Sequence, residues 1–434
     1  MAEMVPDLLT FIDRSPTPYH AVAEAVARIS AAGFEPVSET ALWDFGPGKC
    51  GYVIRGDGSL AAFQVGMSSP AEAGFRILGA HTDSPNLRLK PDPDVSAHGY
   101  RQLAVEPYGG VLLHTWLDRD LSMAGRVAVQ TGSGVQTTLI DFARPLLRIP
   151  NLAIHLFREI REKGLKLDAQ KHVVPVVGLE SAPPVRELLA TELRAQGLVN
   201  ASPEQLLSFD LMLYDTQPSS VIGSRGEFIS APRLDNLASS HAAIASLIRA
   251  QSEGAVPFTR VAVLYDHEEV GSRSAQGAAG TFLVDILDRI ATGYKGGEPQ
   301  AMPRAAAASR MISVDMAHAV HPNYPDRHES GHHPIVGRGP VIKFNSNQSY
   351  ATDAETAGLF SALCQSQGIT PQQFVTRSDL ACGSTIGPLM ASQTGIRTAD
   401  VGNPMLAMHS CREMAGSEDV GPMVDVLTAF YNEG

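Results

Sequence analysis

Three stretches of this 434-residue chain run apolar and then turn abruptly polar: FRILGAHTD at 75–83, FTRVAVLYDHEE at 258–269 and SRMISVDMAHA at 309–319. Apolar runs that hardly alternate suit strands covered on both faces, which is how strands sit between two layers of helices. Helical spacing separates the later runs, in LASSHAAIASLIRA, AGTFLVDILDRIATG and DAETAGLFSALCQSQG, and QQFVTRSD reads as one more strand. The alternation predicts an α/β fold with a largely parallel or mixed sheet flanked by helices.

Earlier segments fit the same sheet. Residues 6–32 carry two helical patterns broken by SPTPYH, and GYVIRG and SLAAFQVG read as strands. From about residue 91 the texture changes to strands broken by Gly, Pro and charged turns, with one helix expected over 185–196. One α/β domain built from both ends of the chain (1–90 and 231–434), with a β-rich sandwich or barrel-like domain inserted over 91–230, is the economical arrangement. KPDPD and GSRGE supply turns for the two junctions.

Composition narrows the function. A formal net charge of -12 argues against nucleic-acid or anionic-membrane partners. The four cysteines are scattered without a C-x-x-C, which fits reduced thiols in a cytoplasmic setting. The N-terminal segment has no basic stretch followed by an apolar run, so neither signal peptide nor membrane anchor is expected.

The polar residues just past the apolar runs are His81 and Asp83, then Asp266, Glu268 and Glu269, then Asp315 and His318, with His409 after PMLAM. Ligands gather at the carboxyl ends of strands in open α/β sheets. Asp235 in PRLDN opens a helical run, where a carboxylate is also favoured. Two imidazoles and several carboxylates without nearby thiolates suit zinc, manganese or cobalt in an open site. The repulsion between Glu268 and Glu269 is relieved if one binds metal and the other takes a proton from water. There is no H-E-x-x-H, GSGV at 132–135 is no dinucleotide fingerprint, and CGSTIG is no nucleophile elbow. The histidine-rich HPNYPDRHESGHH reads as a loop.

GAHTDSPNLRLKP, PRLDN, DHEEVGS, SVDMAHA, VIKFNSNQ and CGSTIGP, in this order and spacing, resemble the aspartyl aminopeptidases. These are co-catalytic two-metal peptidases that remove acidic residues from peptide N-termini. The resemblance implies a three-layer α/β/α sandwich with a mixed central sheet and an inserted β-rich dimerisation domain. It also implies a homo-oligomer, a tetrahedral dodecamer built from dimers. Two divalent ions per subunit are implied, zinc first, with manganese or cobalt as alternatives. By resemblance His81 and Asp315 hold one ion, Glu269 and His409 the other, and Asp235 bridges them. Asp83 orients the His81 ring, and Glu268 is the general base. Lys343 meets the substrate's acidic side chain, Tyr350 contacts substrate, and His155 reaches a neighbouring subunit's site. Two rivals stay open: the same two-metal scaffold as an aminopeptidase or deacylase of another substrate preference, and a metal-stabilised scaffold without turnover.

Overall fold

The computed structural model describes residues 4–295 and 297–433, which divide into two units. The first gathers the chain up to Asp83, Ser219–Met408 and the chain from Glu413.

Its nine-stranded sheet has four parallel strands at the centre, in the order Thr259–Tyr265, Phe75–His81, Arg310–Val314 and Arg397–Gly402. Ser59–Gln64 adds antiparallel on one side and Val341–Phe344 on the other, so the sheet is mixed. The strands serve two cores at once, as their sequences require. Leu78, Ala80, Ala262 and Leu264 face one, together with the helices Pro18–Ala31, Leu234–Glu253 and Val420–Glu433. Phe75, Ile77, Val261 and Val263 face the other, with Phe282–Gly293 and Ile386–Thr394. Successive side chains of a strand point to opposite faces, so an uninterrupted apolar run is what a middle layer needs. The three-layer α/β/α arrangement follows. A second, five-stranded sheet of short strands, including Phe228–Ala231 and Glu413–Gly416, belongs to the same unit.

The second unit comprises Ser84–Pro218 and a short return, His409–Arg412. It is one antiparallel sheet of six strands with the helix Val185–Ala195. Leu87, Leu89, Leu103, Val105, Met123 and Val127 bury one face against Leu189, Ala190 and Leu193 of that helix. The sandwich or barrel expected from sequence is not formed. The sheet's end strands, Gly134–Asp141 and Val176–Leu179, have no common neighbour, and the helix covers the core face instead. KPDPD lies inside the strand Asn86–Ala97, and GSRGE lies in the hairpin between Ser220–Ile222 and Phe228–Ala231. The units divide at Asp83/Ser84 and Pro218/Ser219.

Candidate metal centre

His81 is the last residue of its strand, and Tyr265 pairs with it as the last of the next strand. Asp315 follows the end of Arg310–Val314, its N–H donating to the Val401 carbonyl at 2.9 Å. Asp235 enters from the helix Leu234–Glu253, whose backbone departs from helical angles at Asp235 and Asn236. Its own N–H donates to Glu413 Oε2 at 3.0 Å, and Asn236 Nδ2 donates to the Val314 carbonyl at 2.9 Å. Four segments distant in sequence are thereby fastened to one sheet end.

The His81 ring is almost fully buried. Its Nδ1 lies 3.0 Å from the Asp83 carbonyl oxygen and 3.4 Å from the Asp83 carboxylate. The main-chain oxygen is thus the nearer partner. Nε2 lies 3.4 Å from Asp235 Oδ1 and 3.5 Å from Asp315 Oδ1. Donor atoms about 2.0–2.2 Å from a shared tetrahedral ion stand about 3.4 Å apart, so this trio fits a divalent cation. Asp235 also lies within 4.8 Å of Glu269 through ligand atoms, as do His81, Glu268 and Glu269 of one another. Asp235 thus has Glu269 within reach as well as His81 and Asp315.

The paired glutamates are reached through a sharp turn. His267 takes φ 68°, in the left-handed region, and the single turn Glu268–Val270 follows. This turn frees both carboxylates from the opposite-face rule of a strand. Asp83, fully buried, accepts the N–H of Glu268 on Oδ1 at 3.0 Å and that of Glu269 on Oδ2 at 3.1 Å.

The electrostatics call for cations. Burial raises the Glu268 carboxyl well above the usual range; His81 opposes this, and Asp315, Glu269 and Asp83 add to it. Burial disfavours a charged His81, yet hydrogen bonds to Asp235, Asp315 and Asp83 outweigh it and lift the imidazole well above its ordinary value. So many carboxylates around one imidazole are costly without positive charge.

Lys343 is 2% exposed, far from the surface position typical of lysine. Its Nζ donates to the Met316 carbonyl at 3.1 Å, lies 3.4 Å from Asp315 Oδ2 and stands 5.3 Å from the Tyr350 ring centre. Burial drives the Tyr350 phenol strongly upward, so it stays protonated. His409 falls in the second unit, with Nδ1 3.2 Å from the Gly110 carbonyl oxygen. His155 is exposed in the same unit, in the turn Ile154–Leu156. Glu413 and Gly110, which hold Asp235 and His409, are marked in the sequence only by YGG at 108–110 and by a glutamate four residues past His409.

The fold and this donor set define a metallohydrolase of the two-metal aminopeptidase class. The chain belongs to the M18 family, matching the description "Aminopeptidase I zinc metalloprotease (M18)" over residues 11–431. It is a metallo-aminopeptidase with a dinuclear divalent-metal arrangement. It is similar to "Probable M18 family aminopeptidase 2" of Pseudomonas paraeruginosa, 47% identical over 433 residues, covering 99% of this chain and 98% of the relative. The Streptomyces coelicolor protein of the same description is 45% identical over 425 residues, covering 98% and 96%. Among solved structures, a chain of the Ape4 and Nbr1 complex shares 40% identity with a TM-score of 0.94, covering 99% of this chain and 85% of that one. Yeast aminopeptidase 1 shares 31% with a TM-score of 0.86, covering 99% and 97%. Among the described residues, no helix is long and apolar enough to cross a membrane.

Proposed function

We propose that the enzyme removes unblocked N-terminal Asp or Glu from peptides, with zinc as the resident metal. His81 and Asp315 would hold one ion, Glu269 and His409 the other, and Asp235 both. Two divalent ions held there supply the charge that acidifies a water and polarises the scissile carbonyl. Glu268 takes the proton of the attacking water and returns it to the leaving amine. Burial raises its affinity for protons, which suits a group that must accept one from water. Asp83 keeps Glu268 aimed by holding its main chain. His155 of a second subunit would donate to the oxyanion.

One observation carries the acidic preference. The Lys343 ammonium is a buried fixed charge beside Asp315, so a substrate carboxylate brought to the donor cluster meets a cation already desolvated. Such an interaction favours Asp and Glu over neutral side chains.

A homo-oligomer, a dodecamer built from dimers through the second unit, is proposed as well. A Saccharomyces relative at 30% identity and TM-score 0.87 is described as a dodecamer. In this chain Leu152, Ile154 and Leu156 of the second unit are 57%, 42% and 75% exposed, apolar surface that a subunit contact would cover. A cytoplasmic location is proposed on four cysteines that form no disulfide among the described residues.

The test is hydrolysis of Asp-, Glu-, Leu- and Ala-p-nitroanilide before chelation, after it, and after zinc, manganese or cobalt is restored. Chelation should abolish activity, and the acidic substrates should lead. Equal rates on the leucine substrate would remove the acidic assignment and leave an aminopeptidase of another preference.

A further inference from the structure

The strand Arg397–Gly402 carries an aspartate, Asp400, in the middle of the sheet with 0% exposure. A carboxylate there is costly unless its acceptor capacity is filled. Oδ2 accepts the Ala351 N–H at 2.6 Å, and Oδ1 accepts the Thr385 hydroxyl at 2.6 Å. The Asp400 N–H donates to Thr352 Oγ1 at 2.8 Å. Thr385 precedes the helix Ile386–Thr394 but directs its hydroxyl to Asp400, and makes no side-chain cap for that helix. Gly387, in the helix's first turn, lies so close that a Cβ there would come within 2.3 Å of Oδ2. The carboxylate is thus seated at a helix N-terminus, where negative charge is favoured. Lys343 is close enough to stabilise the charged form of Asp400 against burial, which works the other way.

These partners are the wall around the proposed specificity group. Ala351 and Thr352 directly follow Tyr350, whose ring faces the Lys343 ammonium. Thr385 belongs to CGSTIGP, a block to which neither metal ligation nor nucleophilic chemistry gives a role. Val401, next to Asp400, receives the Asp315 N–H.

We propose that Asp400 is the positioning residue of the pocket wall that meets the substrate's acidic side chain, tying the Tyr350 segment and the CGSTIGP segment to the Lys343 charge. This rests on the reading of Lys343 and Tyr350 given above. Asp400 acts through its partners, the Ala351 N–H, the Thr385 hydroxyl and Thr352 Oγ1. An asparagine keeps the shape but offers one acceptor where two donors converge, and it removes the countercharge.

The test compares Asp400→Asn, Thr385→Val and Thr385→Ser with the natural enzyme on Asp- and Leu-p-nitroanilide, with metal content measured in each. D400N should lower the Asp-to-Leu ratio of kcat/KM by about tenfold, chiefly through KM for the Asp substrate, as loss of a charged hydrogen bond predicts. T385V should move the ratio the same way, and T385S should restore it. Metal content should stay at the natural value throughout. An unchanged ratio in both D400N and T385V, or an equal fall on both substrates, overturns the proposal. If D400N does not fold, T385V and T385S decide. A natural enzyme with no preference for Asp over Leu would instead bring down the functional reading itself, which separates the two failures.

Discussion

Asp83 accepts the main-chain N–H of Glu268 on one carboxylate oxygen, at 3.0 Å, and its other oxygen holds Glu269. The residue expected to orient an imidazole therefore also clamps the turn that carries the general base. Asp83→Ala should release this turn while leaving the apolar strands intact. The expected loss in kcat is about 10- to 100-fold, the usual cost of removing a group that orients catalytic or metal-binding residues. Steady-state kinetics beside metal analysis checks it, and a D83A enzyme with natural kcat would refute the clamp.

Glu268 is predicted to be chemical rather than ligating. Glu268→Gln keeps the hydrogen bond to Asp83, since the main chain makes it. Metal content should equal that of the natural enzyme. Turnover should fall by about 10²–10⁴, the range general-base catalysis supplies. Loss of one ion per subunit would move Glu268 into the ligand set.

How far the sequence reached can be read from particular residues. His81, Glu268, Glu269 and Asp315 were legible because apolar runs ended on them, and a parallel sheet gathers such ends whatever lies between. Lys343 was identifiable as a cation, but its burial was not, because VIKF reads as half-exposed until its neighbours are known. Asp400 left no trace, since one acid in IRTADVG looks like an interruption rather than the meeting point of two loops. KPDPD looked like a junction because proline and aspartate mark turns, yet the sheet accommodates it in a strand with an irregular register between Leu89 and Asp94. The return of His409–Arg412 to the second unit is a long-range contact, which no local pattern encodes.

Acid stability should depend on His241. Its Nε2 lies 2.7 Å from Asp7 Oδ2, and Arg28 Nη1 lies 2.8 Å from the same oxygen. Burial depresses the His241 value, with Asp7 opposing, and the bond to His241 depresses Asp7 well below the carboxylate range. Both folded values lie under the unfolded ones. Below about pH 6.5 the unfolded chain binds a proton at His241 that the folded chain resists, and below about 3.9 the same holds for Asp7. This pair's contribution to stability is therefore full above about pH 6.5 and falls as pH drops, by at most about 1.4 kcal/mol per pH unit from His241. Denaturant midpoints between pH 7.5 and 5 should decline less steeply in His241→Gln than in the natural enzyme. Parallel profiles would exclude the histidine as the source.

Gly110 should be irreplaceable for a reason outside its own conformation. Its carbonyl oxygen lies 3.2 Å from His409 Nδ1, and a Cβ on it would come within 2.9 Å of that nitrogen. A carbonyl accepting from Nδ1–H fixes the tautomer in which Nε2 carries the lone pair, the arrangement that ligating histidines adopt. Gly110→Ala must push the ring aside, while the strand Tyr100–Tyr108 before it keeps its pairing. If His409 is a ligand, G110A should bind one of the two ions about 10- to 100-fold more weakly and the other normally, as the loss of an orienting contact does elsewhere. Zinc titration against a competing chelator resolves the two steps. Two unaltered steps in G110A would show either that the ring is not held by Gly110 or that His409 is no ligand. A His409→Ala enzyme measured alongside separates these, because only in the second case does it also retain both ions.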